Sequence, residues 1–247
     1  MIAQNEFVCL LGRALGANDL SKFDRPSIYE RFYRLTSRLL SANEHMNLTA
    51  VTDVHDIVIK HYVDSIMCAD TLPLDACVAD IGTGAGFPAL PLSIVRPDLR
   101  IVAVDSIGKR TDYVRSVVAD LGLKNVSVLN ARAEALGADS SYRQKFDAVC
   151  SRAVAELRVL CELCLPLARL GGRMVALKGA KGHEELDSAS NAIETLGGEV
   201  KAASDYTLKS SDDPAFSAER TEIVIYKFYN TPDNYPRKYS RIIKNPL

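Results

Sequence analysis

The 247-residue sequence lacks a long hydrophobic run and lacks an excess of charge of either sign. No apolar stretch approaches the roughly 20 residues that span a bilayer, and residues 1–16 contain no basic segment followed by a long apolar one. We therefore expect a cytoplasmic protein that is not held in a membrane. The formal net charge is −1, which excludes a polycation that binds any nucleic acid through bulk attraction. Any affinity for RNA must come from local basic groups.

The sequence also lacks a complete cysteine pattern. Its six cysteines are scattered through apolar segments, which is typical of reduced, buried cysteines in an intracellular protein. Only Cys161 and Cys164 form a C-x-x-C pair, and neither a second pair nor a nearby histidine completes a zinc site. Because residues three apart share one face of a helix, we interpret this pair as core and expect no metal.

The glycine-rich stretch VADIGTGAGFP at residues 78–88 lacks the third glycine of the dinucleotide-binding motif. Apolar residues at 77–81 predict a buried strand, and Pro88 with the apolar run at 90–95 predicts the start of a helix. Gly82, Gly84 and Gly86 therefore lie on a strand-to-helix turn, where a ligand can rest on the backbone at the helix N-terminus. We expect a nucleotide-like ligand. Phe87 replaces the third glycine of the dinucleotide fingerprint G-x-G-x-x-G, so a nicotinamide dehydrogenase is the weakest option.

The spacing G-x-G-x-G, with Asp80 two residues before the first glycine, instead resembles the first motif of the class I S-adenosylmethionine (SAM) methyltransferases. In those enzymes the acid and the loop backbone hold the methionine end of SAM. The resemblance thus implies that Asp80, Gly82, Gly84 and Gly86 belong to a SAM site. A glycine triplet alone is also compatible with a tight turn packed against a sheet.

Residues 1–74 have a helical pattern and predict an N-terminal helical appendage. Ser27 and Glu30 form an S-x-x-E capping box ahead of apolar residues at helical spacing. A further helix is predicted to start near Thr52, with Asp53 in its first turn. His61 lies on the apolar side of that helix, and we interpret it as a buried, hydrogen-bonded histidine rather than a catalytic one.

From residue 76 onward, predicted strands alternate with helices. The strands are expected at residues 77–81, 100–105, 126–129, 146–150, 173–177, 200–208 and 221–228. Repeated strand-helix units predict an α/β fold with a mostly parallel, seven-stranded sheet and helices on both faces. We expect three segments: the helical region at 1–74, a SAM-binding domain at 75–229, and a basic, proline-containing arm at 230–247.

Polar side chains follow five of these strands, and ligands bind open parallel sheets beyond the carboxyl ends of the strands. The groups are Asp80 with the glycines, Asp105, residues 130–134, Ser151 with Arg152, and Lys178. Asp105 can accept both hydrogen bonds of a ribose diol, or it can cap the helix predicted at 109–122. Arg152 and Lys178 are compatible with a cap or a surface position. Next to a nucleotide they can engage phosphate or position an acceptor base.

The C-terminal residues 230–247 are rich in proline and in basic residues. Pro232, Pro236 and Pro246 accompany four cations against a single acid, Asp233. The cations are Arg237, Lys238, Arg241 and Lys244. The pattern is typical of an extended basic arm that contacts RNA, and equally of a solvated, partly disordered terminus.

Several short motifs resemble those of one enzyme family. They are NLTA at 47–50, KH at 60–61 with DS at 64–65, DIGTGAGFP at 80–88, DS at 105–106 with KR at 109–110, SRAVA at 151–155, ALKG at 176–179, and TP at 231–232 with YPR at 235–237. The SRAVA motif in particular is not shared by methyltransferases at large. From residue 47 onward the chain is similar to the small-subunit ribosomal RNA methyltransferase G family, also called the glucose-inhibited division protein B family.

This resemblance implies the class I Rossmann-like methyltransferase fold. It also implies transfer of a methyl group from SAM to N7 of a specific guanine in 16S ribosomal RNA, either free or within the small ribosomal subunit. The implied SAM contacts are Gly82, Phe87, Ala133, Glu134 and Arg152. The basic residues expected to bind RNA are Lys109, Arg110, Arg237, Lys238, Arg241 and Lys244. We expect a monomer. Ala89 departs from the family, which usually has glycine after the proline, and this puts close packing at the helix start in question.

The expected chemistry agrees with further absences. Guanine N7 carries a lone pair and no proton, so its methylation needs orientation rather than a general base. The sequence has no Asp/Asn-Pro-Pro-Tyr run after the fourth strand, as amino-group methyltransferases have, and Cys150 lacks the proline of a Pro-Cys nucleophile. We interpret Cys150 as core. Two alternatives stay open: a SAM methyltransferase of a small molecule or protein, and a non-catalytic SAM-binding factor of ribosome assembly.

Overall fold

A computed structural model describes residues 2–247. The helices are α1 (Gln4–Ala17), α2 (Pro26–Met46), α3 (Val54–Ile57), α4 (Asp64–Ile66), α5 (Ala89–Val95), α6 (Gly108–Leu121), α7 (Ala133–Ala138), α8 (Leu157–Cys164), α9 (Gly182–Ser188), α10 (Ser190–Thr195) and α11 (Tyr239–Lys244). Short 3-10 turns at Ser21–Phe23 and Met67–Asp70 and a π-helical segment at Val58–Val63 complete the helical part. None of these helices is both long and apolar enough to cross a membrane.

Seven strands form one sheet in the order β3-β2-β1-β4-β5-β7-β6. They are β1 (Cys77–Ile81), β2 (Arg100–Asp105), β3 (Val126–Asn130), β4 (Phe146–Arg152), β5 (Ala168–Gly179), β6 (Gly198–Lys209) and β7 (Ser217–Lys227). The first five are parallel, and β7 runs antiparallel to both β5 and β6. The structure thus confirms the predicted α/β fold with a mostly parallel, seven-stranded sheet.

Two hydrophobic layers enclose this sheet because successive strand residues point to opposite faces. Val78 lies in a cluster that joins the sheet to α1, α2, α5 and α6, whereas Ala79 lies in one that joins it to α7, α8, α10 and α11. Helices therefore cover both faces, as predicted. The N-terminal helices share the first layer with α5 and α6, and the division into three segments stays a prediction.

Two details of the N-terminal helices differ from expectation. The Ser27–Glu30 capping box does not form, because α2 begins at Pro26 and its N-cap, Arg25, lies two residues before Ser27 and makes no side-chain cap. Proline at the first helical position already suits a helix start, since it has no N–H group to satisfy. Asp53 caps α3 rather than lying in its first turn: its carboxylate accepts a hydrogen bond from the Asp56 N–H.

The C-terminal segment packs against the sheet domain and is not an extended arm. The Arg143 guanidinium donates hydrogen bonds to backbone carbonyls of Thr231 and Tyr235. Arg237 forms an ion pair with Glu162, which is fully buried in α8. The chain then forms α11, whose Ile242 is buried in the second hydrophobic layer. Interior carboxylate and guanidinium groups thus hold a segment whose composition suggested a solvated terminus.

Candidate active site

A cavity of about 450 Å³ opens at the carboxyl ends of β1, β2, β3 and β4. Its walls include Leu48, Thr49, His61, Gly82, Thr83, Gly84, Phe87, Asp105, Arg110, Ala133, Glu134, Leu163, Arg152, Ala153, Val154 and Tyr239. The volume is in the range of small-molecule sites, about 300–1,000 Å³. The position is the one predicted from the polar strand ends.

The glycine turn has the backbone conformation that its sequence requires. Gly82 and Gly86 have φ of 75° and 95°, values that residues with a Cβ rarely adopt. A Cβ on Gly82 would lie 2.4 Å from Val154 Cγ2, and one on Gly86 would lie 2.3 Å from Leu90 Cδ1. Gly82 and Gly84 line the cavity, whereas Gly86 does not. The turn therefore presents its first two glycines to a ligand and uses the third for packing.

Asp80 supports this turn from the protein interior and does not line the cavity. Its side chain is buried, and its Oδ2 accepts a hydrogen bond from the Ala89 N–H at 3.1 Å, at the start of α5. Burial raises the pKa of Asp80 to about 6. The predicted direct contact of Asp80 with a cofactor therefore becomes a supporting contact. Ala89, the departure from the family pattern, is itself fully buried at the helix start.

Asp105 joins the end of β2 to the glycine turn and to α6. Its Oδ1 accepts from the Ile107 N–H at 2.8 Å, and its Oδ2 accepts from the Gly84 N–H at 3.0 Å. Arg110 Nη1 lies 3.7 Å from the same carboxylate. Asp105 does not cap α6, because the N-cap is Ile107 and no side chain caps that helix end. It lines the cavity, where a ribose contact, its other interpretation, would be made.

Ala133 and Glu134, predicted to contact SAM, line the cavity at the end of β3. Tyr239 of α11 lines the same cavity, with the Arg132 guanidinium 5.8 Å from the centre of its ring. Tyr239 was not predicted from the sequence, because the interpretation of residues 230–247 depended on their prolines and charges. Its signal was a tyrosine within a basic segment, which is too common to be specific.

Three side chains from separate segments form the opposite wall. The His61 ring stacks on the Phe87 ring, with centroids 4.6 Å apart and planes 16° from parallel, and the Arg152 guanidinium lies 5.5 Å from the Phe87 centroid. Burial and the nearby Arg152 charge lower the pKa of His61 to about 4, so the imidazole is neutral at neutral pH. The prediction of a buried, hydrogen-bonded histidine is confirmed. Its place in the cavity wall was not predicted.

Asp64 balances the charge of Arg152 beside this wall. Arg152 Nη1 donates to Asp64 Oδ2 at 2.8 Å and to the Lys60 carbonyl at 2.6 Å. Arg220 Nε donates to Asp64 Oδ1 at 3.1 Å. One buried carboxylate thus binds arginines from β4 and β7, and it fixes Arg152 against the N-terminal helices.

Lys178 lies outside the cavity, contrary to its predicted place beside the substrate. Its Nζ donates to the Ala155 carbonyl at 2.7 Å and lies 2.6 Å from Glu185 Oε2. Glu185 also accepts a hydrogen bond from the Leu157 N–H. The pair therefore holds the segment between β4 and α8. Its ammonium group is already bound and takes no part in the candidate site.

The residues predicted to bind RNA fall into two groups. Arg237 is engaged by Glu162, with Nη2 to Oε2 at 2.5 Å, so this guanidinium is not free for phosphate. The others remain open to solvent or line the cavity. Lys109, Lys238, Arg241 and Lys244 are exposed, and Arg110 lines the cavity. Lys109 and Lys238 are next to the cavity-lining residues Arg110 and Tyr239 in sequence.

The polar groups of the cavity fit SAM. Arg152 Nε is buried and has no hydrogen-bond partner within residues 2–247, which suits a ligand that carries a carboxylate group. Asp105 and Glu134 add carboxylates for ribose and adenine groups. Cys150, Cys161 and Cys164 are fully buried, as predicted, whereas Cys9 is exposed and Cys77 is half-buried, contrary to the expectation for all six cysteines. In the part of the chain that is described, no three His, Cys, Asp or Glu residues could hold a metal ion.

Comparisons with known proteins agree with this geometry. The family model for rRNA small subunit methyltransferase G matches residues 28–211. Ribosomal RNA small subunit methyltransferase G of Lactobacillus delbrueckii is 40% identical over 240 residues, which cover 94% of this chain and 98% of that protein. The protein of the same name from Deinococcus radiodurans is 45% identical over 234 residues, covering 94% and 90%.

A solved structure supports the fold separately. The SAM-dependent O-methyltransferase of Thermotoga maritima superposes with a TM-score of 0.52 at 16% sequence identity, covering 78% of this chain and 72% of that one. At this identity the similarity concerns the fold alone. The family match spans most of the sequence, including the glycine turn and the wall formed by His61, Phe87 and Arg152. The chain therefore belongs to the rRNA small subunit methyltransferase G family and is a SAM-dependent methyltransferase.

Proposed function

We propose that this enzyme methylates N7 of a guanine in 16S ribosomal RNA by direct transfer without a general base. The observation that carries the proposal is the wall formed by His61, Phe87 and Arg152. Both nitrogens of the neutral His61 ring are engaged, by Thr49 and Arg152, and Arg152 is itself paired with Asp64. Such a wall offers no free base, so it suits an acceptor atom with its own lone pair, as guanine N7 is.

The proposed binding mode follows from strand order. The backbone of Gly82 and Gly84 and the side chains of Phe87 and Arg152 would hold the methionine part of SAM. Asp105 would bind the ribose, and Ala133 with Glu134 would bind the adenine. When bound, SAM supplies an electrophilic methyl group on a sulfonium sulfur. Because β2 and β3 lie on one side of β1 and β4 on the other, the nucleoside occupies the β2–β3 side and leaves the β4 side for the guanine.

The chain's own contribution is orientation and charge balance. Holding two reactants in line can contribute about 7–11 kcal/mol to lowering the barrier. Positive charge moves from sulfur to the guanine ring during the transfer, so a charged histidine beside the base would oppose it. The low pKa of His61, about 4, keeps that side chain neutral. Asp64 likewise offsets the fixed charge of Arg152.

RNA would be held through the basic groups around the cavity opening, not through bulk charge. The proposed contacts are Lys109, Arg110, Lys238, Arg241 and Lys244. With a net charge of −1, a shaped RNA site matters more than long-range attraction. We further propose that the enzyme acts in the cytoplasm as a monomer, on free 16S rRNA or on the small subunit.

The direct test is transfer of labelled methyl from SAM to small ribosomal subunits, and separately to deproteinised 16S rRNA, from cells that lack this gene. Chemical cleavage at N7-methylguanosine then locates the label. A single labelled guanine in wild type, lost in Arg152→Ala but kept in Arg158→Ala, supports the proposal. Arg158 is a matched control because its ion pair with Glu156 is exposed on α8. Label at another atom, or no label despite intact SAM binding, would refute it.

A further inference from the structure

Thr49 lines the cavity, and both acceptor positions of its hydroxyl group are occupied. The Val51 N–H donates to Thr49 Oγ1 at 3.0 Å, and His61 Nε2 lies 2.8 Å from the same oxygen. A hydroxyl oxygen has two lone pairs and one proton to donate. The protonation of His61 therefore decides what Thr49 can still do.

The contact with Arg152 assigns the tautomer of His61, since the nearby Lys60 carbonyl already accepts a hydrogen bond from Arg152 Nη1. Arg152 Nη2 lies 3.3 Å from His61 Nδ1, and a guanidinium can only donate, so Nδ1 is the acceptor. The neutral ring then carries its proton on Nε2 and donates it to Thr49 Oγ1. Both lone pairs of Thr49 are thus used. Within residues 2–247 its hydroxyl has no further hydrogen-bond partner, so the O–H group remains as a donor without an acceptor.

This donor is held rigidly. The Asn43 side chain binds the Thr49 backbone twice: Asn43 Nδ2 donates to the Thr49 carbonyl at 2.9 Å, and the Thr49 N–H donates to Asn43 Oδ1 at 2.9 Å. His61 is fixed in turn by its stacking on Phe87. A donor fixed in this way discriminates between ligands, because it cannot turn to accept a hydrogen bond instead.

The two purines differ at the position that such a donor can read. Next to N7, guanine presents the O6 acceptor, whereas adenine presents an N6 amino donor. A hydroxyl that can only donate binds O6, opposes N6 and leaves the N7 lone pair free. We propose that the Thr49 O–H group, aligned by His61, binds O6 of the target guanine and selects guanine over adenine. This inference rests on the proposed function. In the transfer, the bond from methyl to sulfur breaks as the bond to N7 forms, and no proton leaves.

The test combines a protein change with a base change. Thr49→Val removes the donor at nearly constant volume, and Thr49→Ser restores it. On the RNA side, 2-aminopurine at the target keeps N7 but lacks O6, whereas inosine keeps both. We expect Thr49→Val to lower kcat/KM for guanine roughly 5- to 150-fold, the range for an unsatisfied buried acceptor. Thr49→Ser and the inosine substrate should stay close to wild type.

The decisive result is the coupling between the two changes. Wild type should lose about the same factor on 2-aminopurine, and Thr49→Val should lose little more, because the contact is already absent. SAM affinity, measured by titration calorimetry, should be unchanged in both variants. Fully additive losses, or a wild type insensitive to O6, would overturn the inference. If Thr49→Val does not fold, the activity of wild type on RNA with guanine, inosine or 2-aminopurine at the target tests the inference by itself. Absence of N7 methylation by wild type would refute the proposed function instead.

Discussion

Replacing Glu162 by glutamine should release the C-terminal segment without unfolding the protein. Glu162 is fully buried and accepts hydrogen bonds from the Arg237 N–H at 2.7 Å and from Arg237 Nε at 2.8 Å. Glutamine keeps the size of the side chain, but it turns one carboxylate oxygen into an amide nitrogen and removes the charge. The Arg237 guanidinium then stays partly buried beside a neutral partner.

The magnitude follows from burial. Removing one partner of a fully buried ion pair costs about 3–5 kcal/mol. Because 17% of the Arg237 side chain is exposed, water compensates part of this loss, and we expect about 2–3 kcal/mol. This raises the population of the undocked segment about 30- to 150-fold. The loss appears locally, since the segment can detach while the sheet remains intact.

Hydrogen-deuterium exchange of residues 239–245 measures this directly. We expect faster exchange there in Glu162→Gln, with the strands unaffected, and weaker SAM binding because Tyr239 lines the cavity. Arg158→Ala is the matched control: it breaks an exposed ion pair of the same helix and should change little. Unchanged exchange of α11 in a folded Glu162→Gln protein would refute the reasoning.

Three further predictions concern the turn, His61 and the basic surface. Gly82→Ala should weaken SAM binding and destabilise the protein by about 1–3 kcal/mol because Gly82 has a positive φ. The control Gly179→Ala, whose Cβ meets nothing within 4 Å, should do neither. Equal SAM affinities of the two variants in a titration would contradict this prediction. The free energy of unfolding of wild type should fall by up to about 3 kcal/mol as pH falls from 6.5 to 4. The His61 imidazole binds a proton at higher pH in the unfolded chain than in the folded protein, where its pKa is about 4. In urea unfolding, His61→Gln should lack this pH-dependent loss, whereas His45→Gln, at an exposed position, should keep it. Identical pH profiles of the two variants would refute the prediction. Alanine at Lys238, Arg241 and Lys244 should reduce the slope of log affinity for RNA against log salt by about 2; an unchanged slope would exclude these phosphate contacts.

Local signals made most of the fold predictable. The glycine turn could be read because only glycine adopts the positive φ that the turn requires, and the seven strands because apolar runs alternate with helices. The cavity position followed from the rule that ligands bind at the carboxyl ends of parallel strands. His61 and Thr49 could not be placed, since their contact with the site depends on packing between segments distant in sequence, such as Arg152 of β4 and the π-helical segment Val58–Val63.

The predictions for Arg237 and Lys178 failed for one shared reason. A basic residue in the sequence reports its charge but not its partner. One member of each ion pair had a weak signal in the sequence. Glu162, the partner of Arg237, is the single acid in the apolar helix LRVLCELC, and Lys178 directly follows the apolar run MVAL. A lone charge within an apolar segment indicates a buried ion pair as readily as a functional group.

During synthesis, α1 and α2 leave the ribosome before the strands that cover their apolar side chains. Phe7, Phe32 and Tyr62 are fully buried in the finished protein, in the same cluster as Val78 and Ile101 of the sheet. Phe7 packs on Tyr33 and Phe32 packs on Tyr62 within this region, but the sheet residues of the same cluster are missing until β1 and β2 have been made. The nascent N-terminal region therefore leaves part of its apolar surface open to aggregation until the sheet has been made.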